Sequence, residues 1–172
     1  MPLERLFILI IFLLTGCASS PIDLSEKESL PQDEGIVFGR VKVVERGKEK
    51  KLSLLGESKF GLILLPDNSS NAVYVPLKDD GAFIWHLQSG SYTIASFEWR
   101  SHGILRGRVF ACFRVCKNSI NYIGTLTISF SGARYTLFIT DEYEASSITF
   151  KNKFPDMKKE MIRHLMQTEK RR

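Results

Sequence analysis

Thiols, imidazoles and clustered charges are the side chains of this sequence that could do chemistry. Its three cysteines are Cys17, Cys112 and Cys116. Cys112 and Cys116 are positions i and i+4 of a β-rich stretch, about 13 Å apart in a straight strand. A disulfide tolerates a Cα separation of only ~7 Å. A bond between them therefore requires a turn near Val115 to Asn118, and Lys117-Asn118-Ser119-Ile120-Asn121 offers turn-forming residues. We expect a small-loop disulfide here, with two free or buried thiols as the alternative. C-x₃-C is not a usual zinc spacing and no histidine stands nearby, so neither a metal nor another cofactor is expected. His86, His102 and His164 are scattered and read as packing or surface residues. The sequence contains no G-x-S-x-G, H-E-x-x-H or phosphate-loop motif, so no catalytic residue is assigned. Asp141, Glu142 and Glu144 concentrate carboxylates but lack the glycine-spaced loop of a calcium site. They read as a solvated turn.

Arg100, Arg106, Arg108 and Arg114 line the middle of the chain. Arg106, Arg108 and Arg114 share parity and alternate with Leu105, Val109, Phe113 and Val115, which places them on one solvent face of a strand. Such a face suits an anionic ligand, a glycan or a lipid headgroup. The plainer reading is a basic face partly paired with acids on a neighbouring strand.

The elements that must position these residues are mostly strands. Alternating or continuous apolar runs occur at 35–45, 60–65, 72–77, 83–87, 92–99, 104–115, 122–130 and 135–140. Clusters of Gly, Asn, Asp and Ser separate them. The pattern predicts a mainly β domain over 35–150, an antiparallel Greek-key β-sandwich of about seven to nine strands. After Pro155-Asp156 the period changes. Met157, Met161, Ile162, Leu165 and Met166 share one half of a helical wheel, with Lys159, Arg163, Gln167 and Lys170 opposite and Lys170-Arg171-Arg172 at the end. This predicts a C-terminal amphipathic α-helix within 151–172, packed across the sandwich or meeting a partner protein or anionic lipid.

The N-terminus is of another kind. Leu6 to Leu14 is an unbroken apolar run, far short of the roughly 20 residues that span a bilayer, and it suits a signal peptide. Leu14-Thr15-Gly16-Cys17 resembles the lipobox of bacterial lipoproteins. The resemblance implies cleavage after residue 16 and acylation at Cys17, which would hold the mature chain on a membrane. Ala18-Ser19 in place of an aspartate after the cysteine favours the outer membrane, facing the periplasm or the cell surface. Residues 18–34 carry five acids against Lys27 alone. They read as a flexible acidic tether with a reach on the order of 50 Å.

Residues 81–94, Gly-Ala-Phe-Ile-Trp-His-Leu-Gln-Ser-Gly-Ser-Tyr-Thr-Ile, resemble the G-x-F-x-x-x-L-x-x-G-x-Y-x-I signature of transthyretin-like, carboxypeptidase-regulatory-like sandwiches. Phe83, Trp85 and Leu87 fall on one face, and Gly90 permits a tight turn. Tyr92 is placed to bond its hydroxyl to nearby backbone, as in a tyrosine corner. The resemblance implies a fold and no particular activity.

Composition closes off other classes. With 44% apolar and 25% charged residues the chain is too apolar for wholesale disorder, and three cysteines cannot build a disulfide-dense miniature scaffold. The net charge of +5 is uneven, negative in the tether and positive toward the C-terminus. The expectation is a non-enzymatic, lipid-anchored envelope protein, a scaffold or accessory subunit touching another envelope protein. A ligand module using the arginine strand is the alternative, and nucleic acid is not an expected partner.

Overall fold

Period-two alternation along β2 (Glu34–Glu45) buries Val37, Val41 and Val43 on one face, while Ile36 and Phe38 are buried on the other. A strand apolar on both faces must be covered twice, and the architecture follows from that demand. The computed structural model describes residues 22–23, 33–54, 57–58, 60–100 and 103–168. Cys17 and its lipobox, most of the acidic tether, His102 and Lys170-Arg171-Arg172 lie outside the described residues.

The strands after β1 (Ile22–Asp23) and β2 are β3 (Lys48–Lys50), β4 (Ser53–Leu54), β5 (Glu57–Ser58), β6 (Phe60–Pro66), β7 (Val73–Pro76), β8 (Ala82–Gln88), β9 (Gly90–Arg100), β10 (Ile104–Val115), β11 (Ile120–Ser131) and β12 (Arg134–Thr140). Helix α1 (Tyr143–Lys153) is followed by the short strands β13 (Met161–Arg163) and β14 (Gln167–Thr168). A seven-stranded sheet runs β1-β8-β2-β11-β12, with β3 on β2 and β13 on β11. A five-stranded sheet runs β14-β10-β9-β6-β7, and β4 and β5 form a separate two-stranded ribbon. The two large sheets enclose one core, in which Val37, Trp85, Leu126 and Ile128 of the first meet Leu62, Ile94, Phe97 and Phe113 of the second. Among the described residues the fold is the expected mainly β sandwich with one helix.

Two expectations about its parts need correction. The sheets are not wholly antiparallel, because β2 and β11 pair in parallel from Ile36↔Ile120 to Glu45↔Phe130. Parallel neighbours need a long crossover, and the excursion through the second sheet supplies it. The second correction concerns the helix. It lies at 143–153, inside the stretch read as sandwich, and the segment read as helix is extended from Met161 on.

Pro155 follows a helix end rather than opening a helix, because a residue unable to continue a helix is equally at home just past its C-cap. The Phe154 N–H donates to the Phe150 carbonyl, and Lys151 and Lys153 sit at the negative end of the dipole. Beyond it, β13 pairs in parallel with Ile120–Tyr122. The N–H groups of His164 and Met166 then donate to the carbonyls of Tyr122 and Ile123. β14 crosses to the other sheet and pairs with Ala111 and Cys112. The C-terminal segment is therefore a strap joining both sheets. An unpaired edge of β11 offers each backbone donor a partner, and that outcompetes a helical period.

The apolar residues assigned to the helix face are covered all the same. Met166 is in the main core. Met157, Met161 and Leu165 pack on a second cluster outside the first sheet, made of Ile36, Phe38, Ile120, Tyr122, Phe150 and Phe154. Ile162 is half-buried. They present no amphipathic helix to a partner.

Candidate functional site

The expected disulfide is absent, and Cys112 and Cys116 are free thiols. β10 stays extended through Val115, and the turn at Lys117-Asn118 begins only after Cys116. The two cysteines therefore keep the separation of a straight strand. The Cys112 thiol lies 3.5 Å from Thr93 Oγ1. Cys116 instead serves the turn through its backbone. Its N–H donates to Asn121 Oδ1, and its carbonyl accepts from the Ser119 hydroxyl.

The shared parity of the arginines is real in space. Arg106, Arg108 and Arg114 are exposed while Gly107, Val109, Ala111, Phe113 and Val115 are buried; Leu105, near the start of the strand, departs from the expected alternation at 45% exposed, and a register shift interrupts β10 between Arg108 and Ala111. The structure adds two neighbours that the sequence reading left out, Glu98 and Tyr74. Glu98 lies opposite Arg106 on β9 and is only 5% exposed. Its Oε1 accepts from Arg100 Nε at 2.7 Å and its Oε2 from Arg106 Nε at 2.9 Å. These two hydrogen bonds, Arg100 first, hold its carboxyl below the ordinary carboxylate range.

Tyr74 lies across Gly61, the residue opposite Glu98 on β6, and a Cβ on Gly61 would fall 2.4 Å from the phenol ring and its oxygen. Only glycine leaves room for that ring. The Arg100 guanidinium is 6.0 Å from the centre of the same ring. Burial pushes the Tyr74 hydroxyl above its usual pKa, so it remains a neutral donor. One signal could have revealed the group. The antiparallel pairing of β9 with β10 puts Glu98 across from Arg106, and a lone acid facing an arginine forms an ion pair. Tyr74 carries no such signal, because it arrives from another hairpin.

The remaining polar residues have local duties. Tyr92 donates its hydroxyl to the Gln88 carbonyl at 3.0 Å, as the turn motif predicts. Gly90, at φ +151°, makes that turn. His86 is buried, with Nδ1 4.0 Å from Glu34, and His164 is exposed on the strap. The carboxylates at 141–144 are not merely solvated. Asp141 pairs with Arg163. Glu142 accepts from Lys42 and, at 3.1 Å, from Thr125, while its N–H donates to the buried Tyr122 hydroxyl at 2.7 Å. The Lys42 hydrogen bond holds the Glu142 carboxyl below its usual range. Among the described residues no group of three or more His, Cys, Asp or Glu is disposed to hold a metal.

One concave site accompanies the helix. A cleft of about 380 Å³ runs between α1 and the strands β2 and β8. Phe38, Ile84 and Phe150 make part of its apolar floor, and Arg40, Lys78 and Lys153 stand among its charged lining. Arg40 is held in place by the Asp80 carbonyl at 2.9 Å and by Glu49 at 2.8 Å.

No protein-family model matches the chain. Comparison with curated proteins likewise finds no match. Among solved structures, the chain is similar to a DUF3823 family protein from Parabacteroides merdae ATCC 43184, with a TM-score of 0.35 and 18% identity. The match covers 67% of this chain and 62% of that one, so this chain spans less than two thirds of the neighbour's length.

Proposed function

We propose that this chain is a lipid-anchored protein of the bacterial outer membrane, acylated at Cys17. In this reading its transthyretin-like sandwich is a non-enzymatic accessory module that contacts another envelope protein. The observation that carries the reading is the cleft beside α1. Its volume suits one or two anchoring side chains of a partner, and an apolar floor under a charged rim is the composition of an interface centre. The groups around it already hold one another, Glu142 to Lys42 and Arg40 to Glu49. That favours a fixed recognition surface over a reacting one. The lipobox resemblance supports the anchor, and the hydrophobic packing of Phe83, Trp85 and Leu87 supports the sandwich family.

The reading is tested in intact cells with a photo-crosslinking residue at Thr149 in the cleft and, as control, at Thr136 on the far strand β12. A discrete protein adduct at Thr149 and none at Thr136 is expected. No adduct at Thr149, or equal adducts at both, overturns the docking site. Cys17→Ala should abolish palmitate labelling, and labelling that survives overturns the anchor.

A further inference from the structure

We propose that the outer face of the five-stranded sheet is a second site, in which Arg100, Arg106 and Tyr74 bind the phosphate of an anionic lipid headgroup. This site goes beyond the accessory role and lies on another face from the helix cleft.

The geometry is that of arginines held ready. Glu98 is buried beneath two guanidiniums whose side chains are 61% and 69% exposed. Both of its hydrogen bonds run from Nε, the donor nearest the chain. Neither of these bonds engages the outer edge of a guanidinium, where the Nη groups lie. That edge is the one that meets a phosphate in two parallel hydrogen bonds. The carboxylate offsets the repulsion between two arginines and restricts their rotamers, so less order remains to be imposed when a ligand arrives. Two arginines and one glutamate leave a single positive charge, suited to a phosphodiester.

Tyr74, lying over Gly61, brings a neutral hydroxyl donor to the same place, and Arg108 extends the basic face one cross-strand row further. The lipid source rests on the neighbour of this group. Ile104 lies opposite Arg100 on the same face and is 63% exposed. An aliphatic side chain beside a phosphate site fits the glycerol and upper methylenes of an amphiphile, whereas a free phosphate gains nothing from it.

The test uses the mature acylated chain in a neutral detergent, titrated with glycerol phosphate and with short-chain dihexanoyl phosphatidylglycerol. Binding is read from the Nε–H signals of Arg100 and Arg106 in ¹H–¹⁵N spectra. Both probes should shift these signals. The lipid should bind roughly tenfold more tightly, the gain expected from burying about two methylenes. Arg106→Gln should weaken both by about tenfold or more. Arg114→Gln, on the same strand and face but remote from Glu98, should leave both unchanged. Tyr74→Phe should weaken both by a smaller factor. Unmoved Arg100 and Arg106 signals, or an Arg106→Gln affinity equal to the parent's, overturn the site. Equal affinity for the two probes overturns its assignment to a headgroup. Absence of an adduct at Thr149 bears only on the helix cleft, so the two proposals fail separately.

Discussion

The two outer faces of this sandwich are built from similar strands and meet opposite fates. On the seven-stranded sheet, Ile36, Phe38, Ile120 and Tyr122 point away from the core, and α1 covers them with Phe150 and Phe154. On the five-stranded sheet the outward positions include Ser96, Glu98, Arg100, Arg106 and Arg108, and among the described residues nothing comparable lies over them. An apolar outer face demands a cover, whereas a polar one satisfied by its own ion pairs does not. The covered face thereby becomes structure, with a cleft only at the margin of its cover. The uncovered face keeps its arginines available.

The largest expected effect that tests this contrast is on stability. Phe150→Ala should cost about 3–5 kcal/mol in chemical denaturation, because it removes the side chain on which the helix sits. Arg108→Ala on the open face should stay within about 0.5 kcal/mol. Similar costs for the two would erase the distinction between the faces. A smaller effect concerns pH. Glu98 on β9 and Glu142 at the N-terminal end of α1 both have folded-state pKa values held below the ordinary range. Their ion pairs therefore stabilise the fold above the unfolded carboxylate pKa of about 4.3, and that contribution is lost as pH falls through the lower folded value. The thermal midpoint should fall on acidification through this window, with a shallower fall in Glu98→Gln and Glu142→Gln. An unchanged profile in both variants would remove the ion pairs from the account. The smallest effect is expected at the thiols. Cys112 and Cys116 should both react with maleimide in non-reducing denaturant, and added dithiothreitol should leave the thermal midpoint of the native chain unchanged.

How far the fold was legible depended on the distance over which each decision is made. The strands from β6 to β12 were readable within a residue or two, because alternation and turn residues act locally. Tyr92 is a local case as well, since its hydroxyl reaches a carbonyl four residues back. Helix α1 was missed because Ser146, Ser147, Ile148 and Thr149 are indifferent or poor helix formers. Burial of Phe150 against Phe38, with ring centres 4.9 Å apart, overrides that weak local preference. The strap was misread for the converse reason. Its methionines do repeat at a helical spacing, but the decisive partners are the backbone groups of Tyr122 and Ile123, some forty residues earlier.

The amino-acid sequence alone determined that this is a β-rich chain, where most of its strands begin and end, and which face of β10 carries arginine. Each of these follows from period-two patterning and turn chemistry within a few neighbouring residues. Only the tertiary structure decided that β2 lies parallel to β11, that the C-terminal segment joins both sheets, and that Cys112 and Cys116 stay apart. It also brought Tyr74 and Glu98 together with Arg100 and Arg106. The physical reason is common to all four. Strand register and edge pairing are settled by which backbone donors and apolar faces remain unsatisfied once the rest of the chain is in place.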